Sequence, residues 1–282
     1  MTPIRRDIRF KLPAARIHDW HSHGPQVTHF FNALSVFFPV GERFFIASVR
    51  NYRDRVTNPG LKKAVIAFIG QEAMHGREHE RYNRLLQASG MPVQSMEKWV
   101  IRVLGTARKL TPPSWQLATT LALEHQTAII ADLLLSNPEL LAGSDPAFRR
   151  LWQWHSLEET EHKAVAYDVW NEAVGSGGVP YLVRSVDMVF TSLVFWTLVA
   201  GFSICMIETD PETRRRPLGY LDLASFLFGK QGMFRASLPA WLDFFKRSFH
   251  PWQHDNRQLL EKIGAVTSDT AVMRLGTAAS TA

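Results

Sequence analysis

Trp154-His155-Ser156-Leu157-Glu158-Glu159-Thr160-Glu161-His162 sets three metal-capable side chains, His155, Glu159 and His162, at positions i, i+4 and i+7. On a helix these fall on one stripe of one face. A second stripe lies upstream in Gln71-Glu72-Ala73-Met74-His75-Gly76-Arg77-Glu78-His79, where Glu72 and His75 stand three apart and His79 one turn further on. A single Glu-x-x-His is commonly a solvated helix face. Two of them on two helices, with one further Glu from each of two other helices, form the ligand pattern of carboxylate-bridged dinuclear bundles. Glu42 and Glu124 supply those single carboxylates, and the chain order is Glu, Glu-x-x-His, Glu, Glu-x-x-His.

Working outward, the stretch from Val27 to Ala173 reads as a succession of helices. From Val27 to about Arg55 Phe30, Phe31, Leu34, Phe37 and Phe38 recur at helical spacing, and Pro39 and Gly41 predict a kink or break just before Glu42. Asn58-Pro59-Gly60 precedes a second helix over about 61–88, closed by Gly90, and residues 92–110 predict a shorter amphipathic third. Pro112-Pro113 opens a fourth, to about Leu135, which carries Glu124. Asp145 can cap a fifth, with Pro146 at its first position, running to about Ala173. No strand-like alternation of useful length occurs, so the expected fold is all-α.

After Gly175-Ser176-Gly177-Gly178 the composition changes. Met188–Ile207 contains no charged residue, a length that only just suffices to cross a bilayer core. A buried or dimer-interface helix would read the same way. The aromatic and basic stretches over 220–252 suit an interfacial helix or an amphipathic helix packed on the bundle. The expected organisation is an irregular arm over 1–26, a di-metal bundle over 27–175, an apolar or amphipathic helical extension over 176–265 and a flexible tail over 266–282.

The chain has 282 residues, 46% hydrophobic and 21% charged, which describes a folded protein. Its net charge of +6 suits an acidic ligand or lipid surface. No basic run interleaved with aromatics marks a nucleic-acid module, so no nucleic-acid partner is expected. The single cysteine, Cys205, rules out an intramolecular disulfide and a Cys-built zinc site, which is compatible with a cytoplasmic location, with the inner membrane face as the alternative. His21-Ser22-His23 lacks the preceding strand that a barrel metal motif needs and reads as a structural or solvated group.

These motifs resemble those of ferritin-like di-iron carboxylate proteins over residues of about 27 to 173. The additional His155 looks like the third histidine of di-iron arylamine N-oxygenases, whose pattern is His-x3-Glu-x2-His. The chain as a whole, through Gln-Glu-Ala-Met-His-Gly-Arg-Glu-His and Leu-Glu-Glu-Thr-Glu-His-Lys, also resembles a bacterial family labelled "predicted metal-dependent hydrolase". These resemblances imply a ferritin-like bundle holding two metal ions, iron first and manganese or zinc as alternatives. The implied ligands are Glu42, Glu72, His75, Glu124, His155, Glu159 and His162. His79 is left as an extra ligand, a supporting donor or a solvated residue. Glu158, four before His162, competes with Glu159 and is expected, with Glu161 and Glu78, to lie outside the ligand set.

Three functions follow as expectations. The first is an O2-activating oxidase or oxygenase for a hydrophobic or acidic small molecule, drawing on an external electron donor. The second is a hydrolase using two metals to activate water, and the third a non-catalytic metal-binding or membrane-associated protein. A membrane surface or a homodimer is the expected partner of the apolar segment.

Overall fold

The computed structural model describes residues 2–260, and the expected tail over 266–282 lies outside them. The described residues form helices and connecting turns, without strands. Four long helices make the bundle: α1 (Pro25–Arg50), α2 (Pro59–Ala88), α4 (Pro113–Ser136) and α5 (Pro146–His162), with α3 (Val93–Leu110) between α2 and α4.

Local chemistry sets most of the ends. The Asn58 side chain accepts from the backbone N–H groups of Gly60 and Leu61, with Pro59 in the first turn of α2. Asp145 does the same for Ala147 and Phe148 at the start of α5. Gly90, at φ +96°, supplies the left-handed turn beyond α2.

Two expectations are corrected. Of the kink or break expected just before Glu42, the break does not occur: Pro39 lies inside α1, which continues through Gly41 and Glu42. α1 is buried on nearly every face, and tertiary packing of that extent outweighs the local cost of a proline. In contrast, the fifth helix does not reach Ala173 in one piece. It stops at His162, and α6 (Val165–Ala173) begins after a turn at Lys163 and Ala164. The buried Lys163 is drawn to the C-terminal segment, where its Nζ donates to the His254 carbonyl and to Asn256 and lies over the Trp252 ring.

The C-terminal helices are α7 (Gly178–Thr209), α8 (Pro211–Arg214), α9 (Gly219–Phe228) and α10 (Met233–Asp243). They fold back onto the bundle: α7 lies along α1 and α4, α9 on α1 and α10 on α4. By length and composition α1 and α7 could each cross a membrane. The most apolar window of α1 is 78% buried, that of α7 only 44%. The outer face of α7 carries exposed Leu182, Val186, Phe190 and Leu193.

Candidate metal centre

Four helices bring the sequence-predicted residues to one place in the core. α1 supplies Glu42, α2 supplies Glu72, His75 and His79, α4 supplies Glu124, and α5 supplies His155, Glu158, Glu159 and His162. All nine are buried. The 3.6-residue repeat turns Glu72 and His75, and Glu159 and His162, inward as pairs.

Three overlapping groups offer ligand atoms within 4.8 Å of one another: Glu42, His75 and His155; Glu72, His75 and Glu159; and Glu72, Glu124 and His162. His75 Nδ1 lies 3.4 Å from Glu159 Oε1 and 3.7 Å from Glu72 Oε1. His162 Nε2 lies 3.2 Å from Glu72 Oε1, 3.5 Å from Glu124 Oε2 and 3.5 Å from Glu159 Oε2. Donors about 2.1 Å from a common ion stand about 3.0–3.4 Å apart in octahedral or tetrahedral geometry, close to these separations.

The polar atoms themselves call for cations. Both oxygens of Glu42, Glu72 and Glu124, both ring nitrogens of His75 and Nε2 of His162 are buried without a hydrogen-bond partner. Such atoms are costly in a protein interior unless something charged stands among them. Among the described residues, the ion pairs of Glu72, Glu124 and Glu159 are with histidines alone.

Without a metal, protons take over that role. Burial pushes the Glu42, Glu72 and Glu124 carboxyls well above the usual range, and neighbouring carboxylates add to the push. Glu159 departs from this pattern. Burial would raise it, but the neighbouring His162 and His75 imidazoles hold it well below the usual range. Burial lowers His75, yet Glu158 and Glu159 outweigh it and raise the imidazole to about 10.

A second layer fixes the imidazoles. His162 Nδ1 lies 2.9 Å from Gln71 Oε1, which leaves Nε2 aimed at the carboxylates. The other end of Gln71 donates to Glu161, which Arg6 also grips. His75 Nε2 lies 3.2 Å from Glu158 Oε2, in a contact too bent for a good hydrogen bond, while Glu158 Oε1 accepts from Trp154 Nε1. Glu158 therefore stands behind His75, and Glu159 faces the cluster.

His79 belongs to this supporting layer. Asn83 spends its amide N–H groups on the Ser35 carbonyl and Glu97, so its Oδ1 accepts from the Ser35 hydroxyl. Ser35 Oγ then accepts from His79 Nδ1, and His79 Nε2 accepts from His155 Nδ1 at 2.8 Å. With this proton assignment, His155 Nε2 keeps its lone pair and faces Glu159 Oε1 at 3.0 Å. Two acceptors meeting in this way leave a place for a cation between them. Burial lowers His155 to about 4 and His79 well below its usual value, in keeping with neutral rings. Replacing His79 by Ala should therefore weaken metal binding by about 10–100-fold, measured by chelator competition.

Some participants are not apparent from the stripes. Gln71 could have been found, one turn before His75 on the same face. Thr127, three after Glu124, donates to Glu159 Oε2 at 2.6 Å. Ser35 and Arg6 arrive from distant segments and leave no local trace. Gly76 is also part of the site, since a Cβ there would stand 2.9 Å from Glu42 Oε2.

Elsewhere, His18, His29 and Asp210 form a fourth metal-capable group. Asp210 Oδ2 already accepts from Thr213 and from His29 Nε2, a pairing that ties α8 to α1. His21 is buried, stacks on Phe31 and accepts from the His23 backbone N–H through Nδ1, in line with a structural role.

One protein-family model, described as a predicted metal-dependent hydrolase, matches residues 4–255. No curated protein and no solved structure matches the chain.

Proposed function

The chain belongs to the family of predicted metal-dependent hydrolases, and from that premise we propose that it is an enzyme with a dinuclear centre between α1, α2, α4 and α5, acting on an apolar substrate. Glu42, His75 and His155 would hold one ion, and Glu124 and His162 the other, with Glu72 and Glu159 between them. Four carboxylates match the charge of two divalent ions, and the nitrogen and oxygen donors suit iron, with manganese or zinc as alternatives. The substrate class rests on a cavity of about 570 Å3 that reaches Glu42 and Thr127 and is walled by Phe37, Phe38, Phe45 and Leu198. Phe190 and Leu110 line it and are also exposed. That apolar rim suits a substrate taken from the inner face of a membrane.

Two chemistries are open to such a centre. Iron held by these carboxylates and imidazoles in a dry core would supply electrons for O2 activation. The chain's residues would exclude water, place the substrate against the Glu42 side and hold the imidazoles in one tautomer. An external electron donor would complete the cycle. Hydrolysis is the second reading, and the family description supports it more directly than it supports oxidation. In that case ions held by the same donors would lower the pKa of bound water.

The deciding experiment loads metal-free protein anaerobically with ferrous iron or with zinc, then admits air. The oxidative reading predicts stoichiometric O2 uptake and new near-ultraviolet absorption in the iron form alone. Iron protein indifferent to O2, together with chelator-sensitive cleavage of a long-chain p-nitrophenyl ester, would establish hydrolysis instead.

A further inference from the structure

Asp187 stands at the edge of the charge-free run of α7, and its side chain lines the apolar cavity. The residue is 5% exposed. Among the described residues its carboxylate meets only two hydroxyls, Thr191 Oγ1 at 3.1 Å and Thr119 Oγ1 at 3.3 Å. Thr119 has one proton for two acceptors, because its hydroxyl also lies 3.1 Å from the Trp115 carbonyl. Among the described residues no cation acts on this carboxylate. Arg102 also borders the cavity but is exposed and stacks over Trp99 at 4.7 Å, where solvent screens it.

A buried carboxylate served by neutral hydroxyls alone is an incomplete arrangement. Burial pushes the group up to about 6, so it is ionised at pH 8 and still lacks a counter-charge. Its position along the cavity is equally informative. Its partner Thr119 and the Glu159 partner Thr127 are eight residues apart on α4, a rise of about 12 Å. The cavity thus has a carboxylate towards one end, the metal cluster at the other, and an apolar wall between.

We propose that Asp187 is a specificity-determining residue that receives the ammonium group of an amphiphilic amine, whose hydrocarbon body fills the cavity towards Glu42. The inference rests on the cavity being the substrate site. An ammonium would give Asp187 the counter-charge it lacks and would form a charge-assisted hydrogen bond. A hydroxyl would offer a hydrogen bond without charge, and a carboxylate would be repelled.

The test measures binding of decylamine, decanol and decanoate to the full, metal-loaded chain at pH 8, followed by tryptophan fluorescence, with Trp115 in the cavity wall as reporter. The amine should bind at least about tenfold more tightly than the alcohol, with the carboxylate weakest. Asp187→Asn should lower the amine affinity at least about tenfold and erase the preference. The amine-to-alcohol ratio is read on the unaltered chain and stands even where the variant folds poorly. Equal binding of amine and alcohol, or tightest binding of the carboxylate, would overturn the role of Asp187 and leave the cavity as the substrate site. If none of the three binds, the cavity reading falls and the inference falls with it.

Discussion

Glu159→Ala is expected to lower metal affinity by more than about 100-fold while leaving the helical bundle folded. The carboxylate faces both halves of the cluster. Its Oε1 lies near His155 Nε2 and His75 Nδ1, at 3.0 and 3.4 Å. Its Oε2 lies 3.5 Å from His162 Nε2 and accepts from Thr127. No other side chain in the site is placed among all three imidazoles. In the metal-free protein the substitution also removes the carboxylate that the neighbouring imidazoles hold ionised, so some stability is lost, while the apolar core of the four helices stays in place. Glu158→Ala should cost only about 10–100-fold, since Glu158 stands behind His75. Chelator competition and melting of the metal-free variants by circular dichroism separate these outcomes. Full metal retention in Glu159→Ala, with loss in Glu158→Ala, would exchange the two roles.

Gly76→Ala should weaken metal binding at least about tenfold while leaving the metal-free fold as stable or more so. Alanine in a helix interior is favoured over glycine by about 1 kcal/mol. The added methyl, however, would stand 2.9 Å from Glu42 Oε2, and a carboxylate tip moves more readily than the Pro39 backbone 3.9 Å away. The strain is therefore expected to fall on a ligand and not on the helix. Opposite signs for metal affinity and metal-free melting temperature are the signature. An unchanged affinity would mean that Glu42 has room to move or does not ligate.

Much of this centre is legible in the sequence because helical ligation is periodic. Glu72 and His75, and Glu159 and His162, are three apart, and the structure turns each pair inward. Glu42 and Glu124 can be found only by chain order, and they join the same cluster. What stays hidden depends on contacts between distant segments. The part played by His79 rests on Ser35 and Asn83, 44 residues upstream and four residues downstream, whose hydrogen bonds orient its ring. Pro39 reads locally as a break, yet α1 passes through it because its surroundings are packed on nearly all sides. The turn after His162 depends on Lys163 reaching residues some 90 positions away. The cavity is less legible still, as it is bounded by single faces of α1, α3, α4 and α7. Asp187 could be read only as the charge that ends an apolar run.

The most direct test is the metal content of the chain purified without added metal or chelator, determined by inductively coupled plasma mass spectrometry against quantitative amino-acid analysis. A dinuclear centre predicts about two ions per chain, dominated by one transition metal and falling sharply in Glu159→Ala. A folded, monodisperse protein that holds no metal, and takes up none when ferrous iron, manganese or zinc is supplied, would contradict the account.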